Sequence, residues 1–190
     1  SSTWNTSIDP SIITFAKGNL AMYFGYSWDI FTIKAINPNL AFEIHPVPQL
    51  PNQNMTIASY WVEGISVKSQ YQKEALLFMK FLAKRETAQK FFTEGSKTRI
   101  FGEPYARVDL ADTLKDNPIV YPFVSQGNAA VSSFFASDTY DNGLNSQMNV
   151  YLGDAVASII NGGSPQSAVG TLSQGVNQVL TQYSPTAEPK

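Results

Sequence analysis

Apolar residues recur about every 3.6 positions in several parts of this chain, and this period predicts helices. The longest such run is "QKEALLFMKFLAKRETAQKFF", residues 72–92, where lysines and glutamates fill the opposite face and Gly95 follows as a cap. A second helix is predicted over residues 28–36, with Ser27 as its N-cap. The same reasoning predicts a helix over residues 108–115, a helical piece before Ser137, and helices over residues 144–160 and 165–183.

Short apolar or alternating runs predict three strands, at residues 20–24, 40–50 and 64–67. Gly18 is expected to make the turn between a preceding helix and the first of them. Prolines follow the alternating part of the second run, so we expect that strand at a sheet edge. This mixture of strands and helices predicts an α/β fold, in which ligands lie where strands end and loops begin.

Composition places the chain among globular proteins and removes several classes of partner. It has 190 residues, of which 43% are hydrophobic and 15% charged, enough for one large or two small cores. The net charge of -2 predicts no surface for nucleic acid or anionic lipid. No apolar run approaches the roughly 20 residues that span a bilayer, so no direct membrane span is expected. The absence of cysteine excludes disulfides and thiolate chemistry, and it suits an exported bacterial protein and a trimmed cytosolic one equally.

Sequence motifs for metals, nucleotides and catalysis fail one after another. The single histidine, His45, excludes a two-histidine metal site, and we expect it to be a structural residue at a strand end. Residues 137–143 resemble the start of a calcium loop, but Tyr140 stands where the loop needs an aspartate or asparagine and Asn149 where it needs a bidentate glutamate, so we expect no calcium site. Glycine-rich phosphate loops and nucleophile elbows are missing, so we expect no cofactor. Carboxylates of the kind that glycoside hydrolysis needs are present individually, among them Asp29 and Glu63, but the sequence alone does not pair them.

Aromatic residues, 13% of the chain, often stand beside polar ones at the predicted ends of elements. Sugar rings stack their C–H faces on such aromatics, while carboxylates, amides and guanidinium groups bond the hydroxyls. The candidate ligand-binding residues are Tyr26, Trp28, Asp29, Tyr60, Trp61, Glu63, Arg107, Tyr140, Asp141 and Asn142. Core packing is the alternative role for any single cluster, but four clusters at element ends favour recognition.

Several runs occur in an order that resembles a known family. They are "FAKGNLAMYFGYSWDI", "NPNLAFEIHPVPQL", "YWVEGISVKS", the helix at 72–92, "RIFGEPYARVDLAD" and the closing "GVNQVL". The chain, over about residues 12–183, resembles the C-terminal half of extracellular solute-binding proteins of carbohydrate ABC importers, the maltose-binding-protein-like family. The resemblance implies a helix-rich α/β fold of the periplasmic-binding-protein type II class, with two lobes that close on a sugar. It also implies that Trp28 stacks on that sugar.

The resemblance further implies which parts of the chain belong to which lobe. Residues 1–58 would be the first segment of the C-terminal lobe, residues 59–119 a crossover and a segment of the N-terminal lobe, residues 120–183 the return segment, and residues 184–190 a flexible tail. Because the family is longer, we expect this chain to be a fragment of a bilobed parent, and its helix at 72–92 to lack part of its packing surface. The fragment would then self-associate or be only partly ordered, and it would bind ligand weakly if at all.

The implied function is that of the substrate-binding component of an ABC transporter, which is a binding protein and not an enzyme. Its partners would be a carbohydrate ligand and a membrane permease, and its location extracellular or periplasmic, with a lipid anchor in the full-length protein left open. A peptide or polyol ligand stays open as well. The alternatives are a carbohydrate-active enzyme, an accessory carbohydrate-binding module, or a non-catalytic interaction scaffold in which the aromatics are core.

Overall fold

Helices dominate the computed structural model, which describes residues 7–133 and 143–183. In these ranges the α-helices are Ser11–Ala16 (α1), Asp29–Ile36 (α2), Gln72–Leu82 (α3), Arg85–Gly95 (α4), Tyr121–Ser125 (α5), Leu144–Ile160 (α6) and Pro165–Tyr183 (α7). Short 3-10 helices cover Val108–Leu114 and Gly127–Ala129. Two three-residue strands, Thr56–Ala58 (β1) and Ala130–Ser132 (β2), pair as a two-stranded sheet. The predicted helix-rich character is therefore confirmed.

The structure divides into two compact units. The first contains the described residues of Ser1–Thr56 and Tyr60–Val131, and the second those of Ile57–Ser59 and Ser132–Lys190. The assignment of segments to two lobes concerns a longer, bilobed protein, and it stays a prediction.

The first unit is built around a buried apolar cluster to which separate parts of the chain contribute. Its centre consists of Ile30 from α2, Phe101, Leu114 and Val120, each at most 5% exposed. The partly buried residues packed against it are Phe31, Phe42, Ile44, Phe92, Tyr105, Ile119, Tyr121, Phe123 and Val124. This cluster anchors α2, because one face of that helix, Ile30 and Ile33, is buried. The N-terminus of α2 is thus held on a packed base.

The second unit contains the hairpin of α6 and α7. Met148 and Ala155 are the buried residues of α6, and Ala168 and Val179 are buried on α7. Gly162, with a φ of 88°, and Gly163 separate the two helices, and Ser164 restarts the chain. The structure confirms both helices predicted from the hydrophobic period, with the predicted bounds.

The three predicted strands are wrong for this chain. The structure has no strand at residues 20–24, 40–50 or 64–67, and β2 lies in the stretch before Ser137 where the sequence predicts a helical piece. A strand exists only where its backbone groups pair with a neighbour. The side chains of Met22 and Val67, 81% and 88% exposed, show that their segments do not cover a core here.

The long helix predicted over residues 72–92 is two helices. α3 ends at Leu82, Lys84 adopts an extended conformation with a ψ of 146°, and α4 then begins at Arg85. A side chain from elsewhere stabilises this break, since the Arg107 guanidinium donates a hydrogen bond to the Ala83 carbonyl over 2.8 Å. That bond satisfies one of the carbonyls that a helix C-terminus leaves without a partner.

α3 buries none of its residues, and Leu77 and Phe78 are among its exposed apolar side chains. Self-association through this face stays a prediction, which light scattering would test.

Other boundaries differ in smaller ways. The N-cap of α2 is Trp28, with no side-chain capping bond, so the predicted cap at Ser27 is wrong. The helix predicted over residues 108–115 is of the 3-10 type. α5, which the sequence does not predict, carries Pro122 in its first turn, where a proline removes no helical hydrogen bond.

Candidate functional site

Two of the predicted site residues, Tyr26 and Trp28, stack on one another. Their ring centroids lie 4.4 Å apart and their planes differ by 18°. Trp28 is 45% exposed, whereas Tyr26 is partly buried. We call these stacked rings the aromatic platform. A contact of this kind stabilises by about 0.5–1.5 kcal/mol beyond buried area, enough to favour one orientation of the indole.

Asp29, the first residue of α2, is bound to the platform through the backbone. Its Oδ2 atom accepts the amide N–H of Tyr26 over 2.9 Å, and its own amide N–H donates to the Tyr26 carbonyl over 3.1 Å. These two bonds close the turn that carries Trp28. The sequence predicted that Asp29 binds a ligand hydroxyl, and the structure shows that one carboxylate oxygen already accepts hydrogen bonds from the protein.

A residue that the sequence analysis did not select, Tyr23, completes this arrangement. Its hydroxyl donates to the same Oδ2 atom of Asp29 over 2.9 Å. Burial, followed by the hydrogen bond to Asp29 and its charge, raises the pKa of Tyr23 to about 12. The hydroxyl therefore stays protonated, and able to donate, throughout the physiological range. The available sequence signal was a tyrosine six residues before the carboxylate, but Tyr23 had been assigned to the interior of a strand.

Packing of α2 against its neighbours holds the backbone of Trp28, the platform residue at the N-terminus of this helix. The centroid of the Phe31 ring lies 4.7 Å from that of the buried Phe101 ring. The guanidinium carbon of Arg99 lies over Phe31, 5.6 Å from its ring centroid. Trp28 itself is the N-cap residue of this helix. The platform is therefore attached to a helix that packs on the apolar cluster of the first unit.

Tyr60, Trp61 and Glu63 form a second group of predicted site residues, and all three are exposed. The Trp61 side chain is 87% exposed, the highest value among the tryptophans that the structure describes. Gly64 follows, and a Cβ atom there would meet nothing within 4 Å. The segment thus presents aromatic and acidic groups to solvent.

Arg107 is engaged by protein groups. Its Nε and Nη2 atoms donate to the two oxygens of Asp109 over 2.8 and 3.1 Å, and Nη1 donates to the Ala83 carbonyl. Asp109 also pairs with Arg85 over 2.8 Å. Arg107 chiefly holds the pKa of the Asp109 carboxyl below its usual range, with Arg85 adding to the effect. The geometry gives Arg107 a structural role at the junction of α3, α4 and the 3-10 helix.

The last three predicted site residues, Tyr140, Asp141 and Asn142, lie outside the described residues. His45 is exposed and lies 3.1 Å from Glu43, its partner two residues before it in the chain. Among residues 7–133 and 143–183, no three acidic, histidine or cysteine side chains are grouped so that they could hold a metal ion. A helix with the length and apolar character needed to cross a membrane is likewise not found in those ranges.

Comparison with known proteins identifies the family. The sequence model of one family, described as bacterial extracellular solute-binding protein, matches residues 1–122. The match covers well over half of the chain and includes the aromatic platform and its supporting residues. No curated protein matches the chain. The resemblance drawn from the sequence motifs is confirmed at the level of the family, and this chain belongs to the bacterial extracellular solute-binding proteins.

Proposed function

We propose that this protein is the substrate-binding component of an ABC importer and that it captures a sugar or oligosaccharide on the aromatic platform. Membership of the solute-binding family supports binding as the function, since such families are generally not enzymes. One observation carries the sugar hypothesis: the exposed indole of Trp28 is backed by the ring of Tyr26 at 4.4 Å. A flat, restrained aromatic face suits the C–H patches of a pyranose ring.

The physical advantage of the pair lies in its restraint. A side chain that is free in the unbound protein must be ordered on binding, which costs about 0.5–1.5 kcal/mol. Because Tyr26 already covers one face of Trp28, the indole presents its other face in a defined orientation. Part of the ordering cost is then met during folding and does not weaken binding.

Hydrogen-bonding groups beside the platform would set the orientation of the ligand. The Oδ2 atom of Asp29 accepts two protein donors, whereas its Oδ1 atom accepts none of the hydrogen bonds found among the described residues. We assign Oδ1 to a ligand hydroxyl, because a carboxylate oxygen that accepts such a bond gives a strong, charge-assisted interaction. The hydroxyl of Ser27, next to the platform in the chain, is a second candidate.

The other predicted site residues take different places in this proposal. Tyr60, Trp61 and Glu63 would contact a second ring of a longer saccharide, which their exposure permits. We leave Arg107 out of the binding surface because its guanidinium is committed to Asp109 and Ala83. The expected contribution of residues 140–142 stays a prediction.

In the intact protein, binding would shift an open form toward a closed one. A ligand that contacts two lobes stabilises the arrangement in which both contacts are made, and this is how hinge-closing proteins respond. The closed form would then be the state that a membrane permease recognises. Small-angle scattering tests this step, since the radius of gyration should fall when ligand is added.

Tryptophan fluorescence tests the proposal directly. The protein, expressed with any natural flanking sequence, would be titrated with a panel of mono- and oligosaccharides, with polyols and short peptides as the competing ligand classes. We expect a saturable shift with at least one saccharide. Trp28→Ala should lower the affinity for that saccharide by about thirtyfold or more, as truncation of a central aromatic contact does.

Two variants separate binding from folding. Trp28→Phe keeps an aromatic face and should retain part of the affinity, while Tyr71→Ala, at an exposed tyrosine of the same unit, should retain all of it. Far-ultraviolet circular dichroism would confirm that each variant is folded. A response to peptides or polyols alone, or equal affinity in Trp28→Ala, would refute the sugar-binding platform.

A further inference from the structure

We propose that Tyr23 is a positioning residue for the aromatic platform and that it acts through the carboxylate of Asp29. This inference rests on the proposed function, because it concerns the surface on which we place the ligand. It assigns a role to a residue that the ligand itself does not touch.

A single oxygen joins Tyr23 to the platform. Asp29 Oδ2 lies 2.9 Å from the hydroxyl of Tyr23 and 2.9 Å from the amide nitrogen of Tyr26. The Tyr23 hydroxyl therefore fixes the rotamer of Asp29, and that rotamer fixes the backbone from which the Tyr26 ring projects. Since Tyr26 stacks on Trp28, a change at Tyr23 reaches the indole through the two hydrogen bonds to Asp29 Oδ2 and the contact between the two rings.

The backbone between these residues is shaped to allow this contact. A Cβ atom on Gly25 would lie 2.4 Å from Tyr23 Cε1 and 2.6 Å from Asp29 Oδ2. Real Cβ atoms do not approach other atoms so closely, so the tyrosine ring and the carboxylate meet over a position that only glycine can occupy. The contact is thus built into the turn, and Gly25→Ala should disrupt it from the other side.

The ring of Tyr23 is itself held from a second helix. Its centroid lies 5.8 Å from that of Phe15 in α1, and Phe15 makes an edge-on contact with Phe42 at 5.7 Å. Tyr23 is partly buried in this aromatic group. The hydroxyl therefore projects from a fixed ring, so that Tyr23 connects α1 to the first turn of α2.

The main test replaces Tyr23 by phenylalanine, which keeps the ring and removes only the hydroxyl. The protein would carry 5-fluorotryptophan, and the fluorine resonance of Trp28 would be assigned by its loss in Trp28→Phe. We expect that resonance to move toward the value of a solvent-exposed, mobile tryptophan in Tyr23→Phe. Tyr71→Phe, which removes a hydroxyl from an exposed tyrosine, should leave it unchanged.

The second measurement is the affinity of each variant for a saccharide to which the wild-type protein responds in the panel. Loss of one hydrogen bond to a charged group should weaken binding by about tenfold if it acts only by ordering the platform. Tyr23→Phe and Asp29→Ala should be strongly non-additive in a double-mutant cycle, because each removes one end of the same hydrogen bond. Full additivity, or an unchanged resonance with unchanged affinity, would overturn the role of Tyr23.

A matched pair at position 29 keeps the test decisive if Tyr23→Phe lowers stability. Asp29→Asn retains an oxygen that can accept from Tyr23 and Tyr26, so it should restore most of the wild-type resonance, whereas Asp29→Ala should not. Equal spectra for these two variants would also overturn the proposal. If no saccharide binds the wild-type protein, the proposed function fails, yet the resonance still decides whether Tyr23 orders the platform.

Discussion

Replacement of glycine by alanine should have opposite effects at two positions of α7, Gly170 and Gly175. A Cβ atom at Gly170 would meet nothing within 4 Å, whereas one at Gly175 would lie 2.3 Å from Cδ1 and 2.6 Å from Cγ of Tyr151. The tyrosine ring of α6 thus rests on the backbone of α7. We expect Gly170→Ala to stabilise the hairpin and Gly175→Ala to destabilise it.

The size of the effect follows from two terms, one of which cancels. Alanine is favoured over glycine in a helix interior by about 0.8–1.0 kcal/mol, and both variants gain this. At Gly175 the ring must also move by more than 1 Å to reach an ordinary contact distance of at least 3.4 Å. Overpacking of this kind costs about 1–3 kcal/mol. The two variants should therefore differ in stability by about 1–3 kcal/mol, and Gly175→Ala should be the less stable of the two.

Amide hydrogen exchange measured by mass spectrometry is the suitable assay, because it reports on α6 and α7 by themselves. None of the three tryptophans, Trp4, Trp28 and Trp61, belongs to α6 or α7, so tryptophan fluorescence would not report on these two helices by themselves. Peptides from both helices should exchange more slowly in Gly170→Ala and faster in Gly175→Ala. Equal protection in the two variants would refute the tight contact between the ring and the glycine.

Three further predictions concern the first unit. Leu110→Ala should lower the free energy of unfolding by about 2–5 kcal/mol in a urea titration, because the side chain is fully buried; a loss below 1 kcal/mol would contradict this burial. Asp109, whose carboxyl pKa is lowered chiefly by Arg107, stabilises the fold above the usual carboxyl pKa of 3.8 and loses this contribution as the pH falls through its lowered value. Asp109→Asn should accordingly flatten the acid limb of the stability curve, and an unchanged limb would argue against the pair. The phenolate absorbance of Tyr23 should appear near pH 12, and this step should be missing from the titration of Tyr23→Phe. The protonated hydroxyl of Tyr23 should contribute fully to stability below pH 10.0, and this contribution should be lost as the pH rises through about 12.

The helices of this fold could be predicted where local period and local stop signals agree. α6 and α7 have the predicted bounds, because Gly162 and Gly163 end one helix and Ser164 precedes the next. The break between α3 and α4 could not be predicted, since part of its stabilisation comes from Arg107, 24 residues beyond Ala83. No local pattern in the sequence identifies a bond of that separation.

Strands depend on partners even more strongly than helix ends do. The period of residues 40–50 is compatible with a strand, but its backbone is held here by a side chain. Gln126 accepts from the Val47 amide over 2.8 Å and donates to the Val47 carbonyl over 3.0 Å. A glutamine amide thus takes the place of a neighbouring strand at one residue. Sequence alternation shows which faces a segment could offer, while the pairing itself is non-local.

The candidate site divides in the same way. The position of Tyr26 and Trp28 at an element end was enough to select them, since that signal is local. Their mutual stacking and the role of Tyr23 depend on rotamers and on the close approach at Gly25, which sequence spacing does not determine. Arg107 was selected for its charge, but a charge already paired with Asp109 offers much less to a ligand.

Restraint, more than exposure, distinguishes the two tryptophans that the structure describes in full. Trp61 is 87% exposed and Trp28 only 45%, so exposure alone would favour Trp61 as the ligand contact. Trp28, however, is stacked on Tyr26, and its backbone belongs to a turn closed by Asp29. An exposed ring must lose its freedom when a ligand binds, while a restrained ring has already lost it during folding. Binding energy should therefore concentrate at Trp28, and loosening the residues beneath it should weaken binding even when the indole itself is intact.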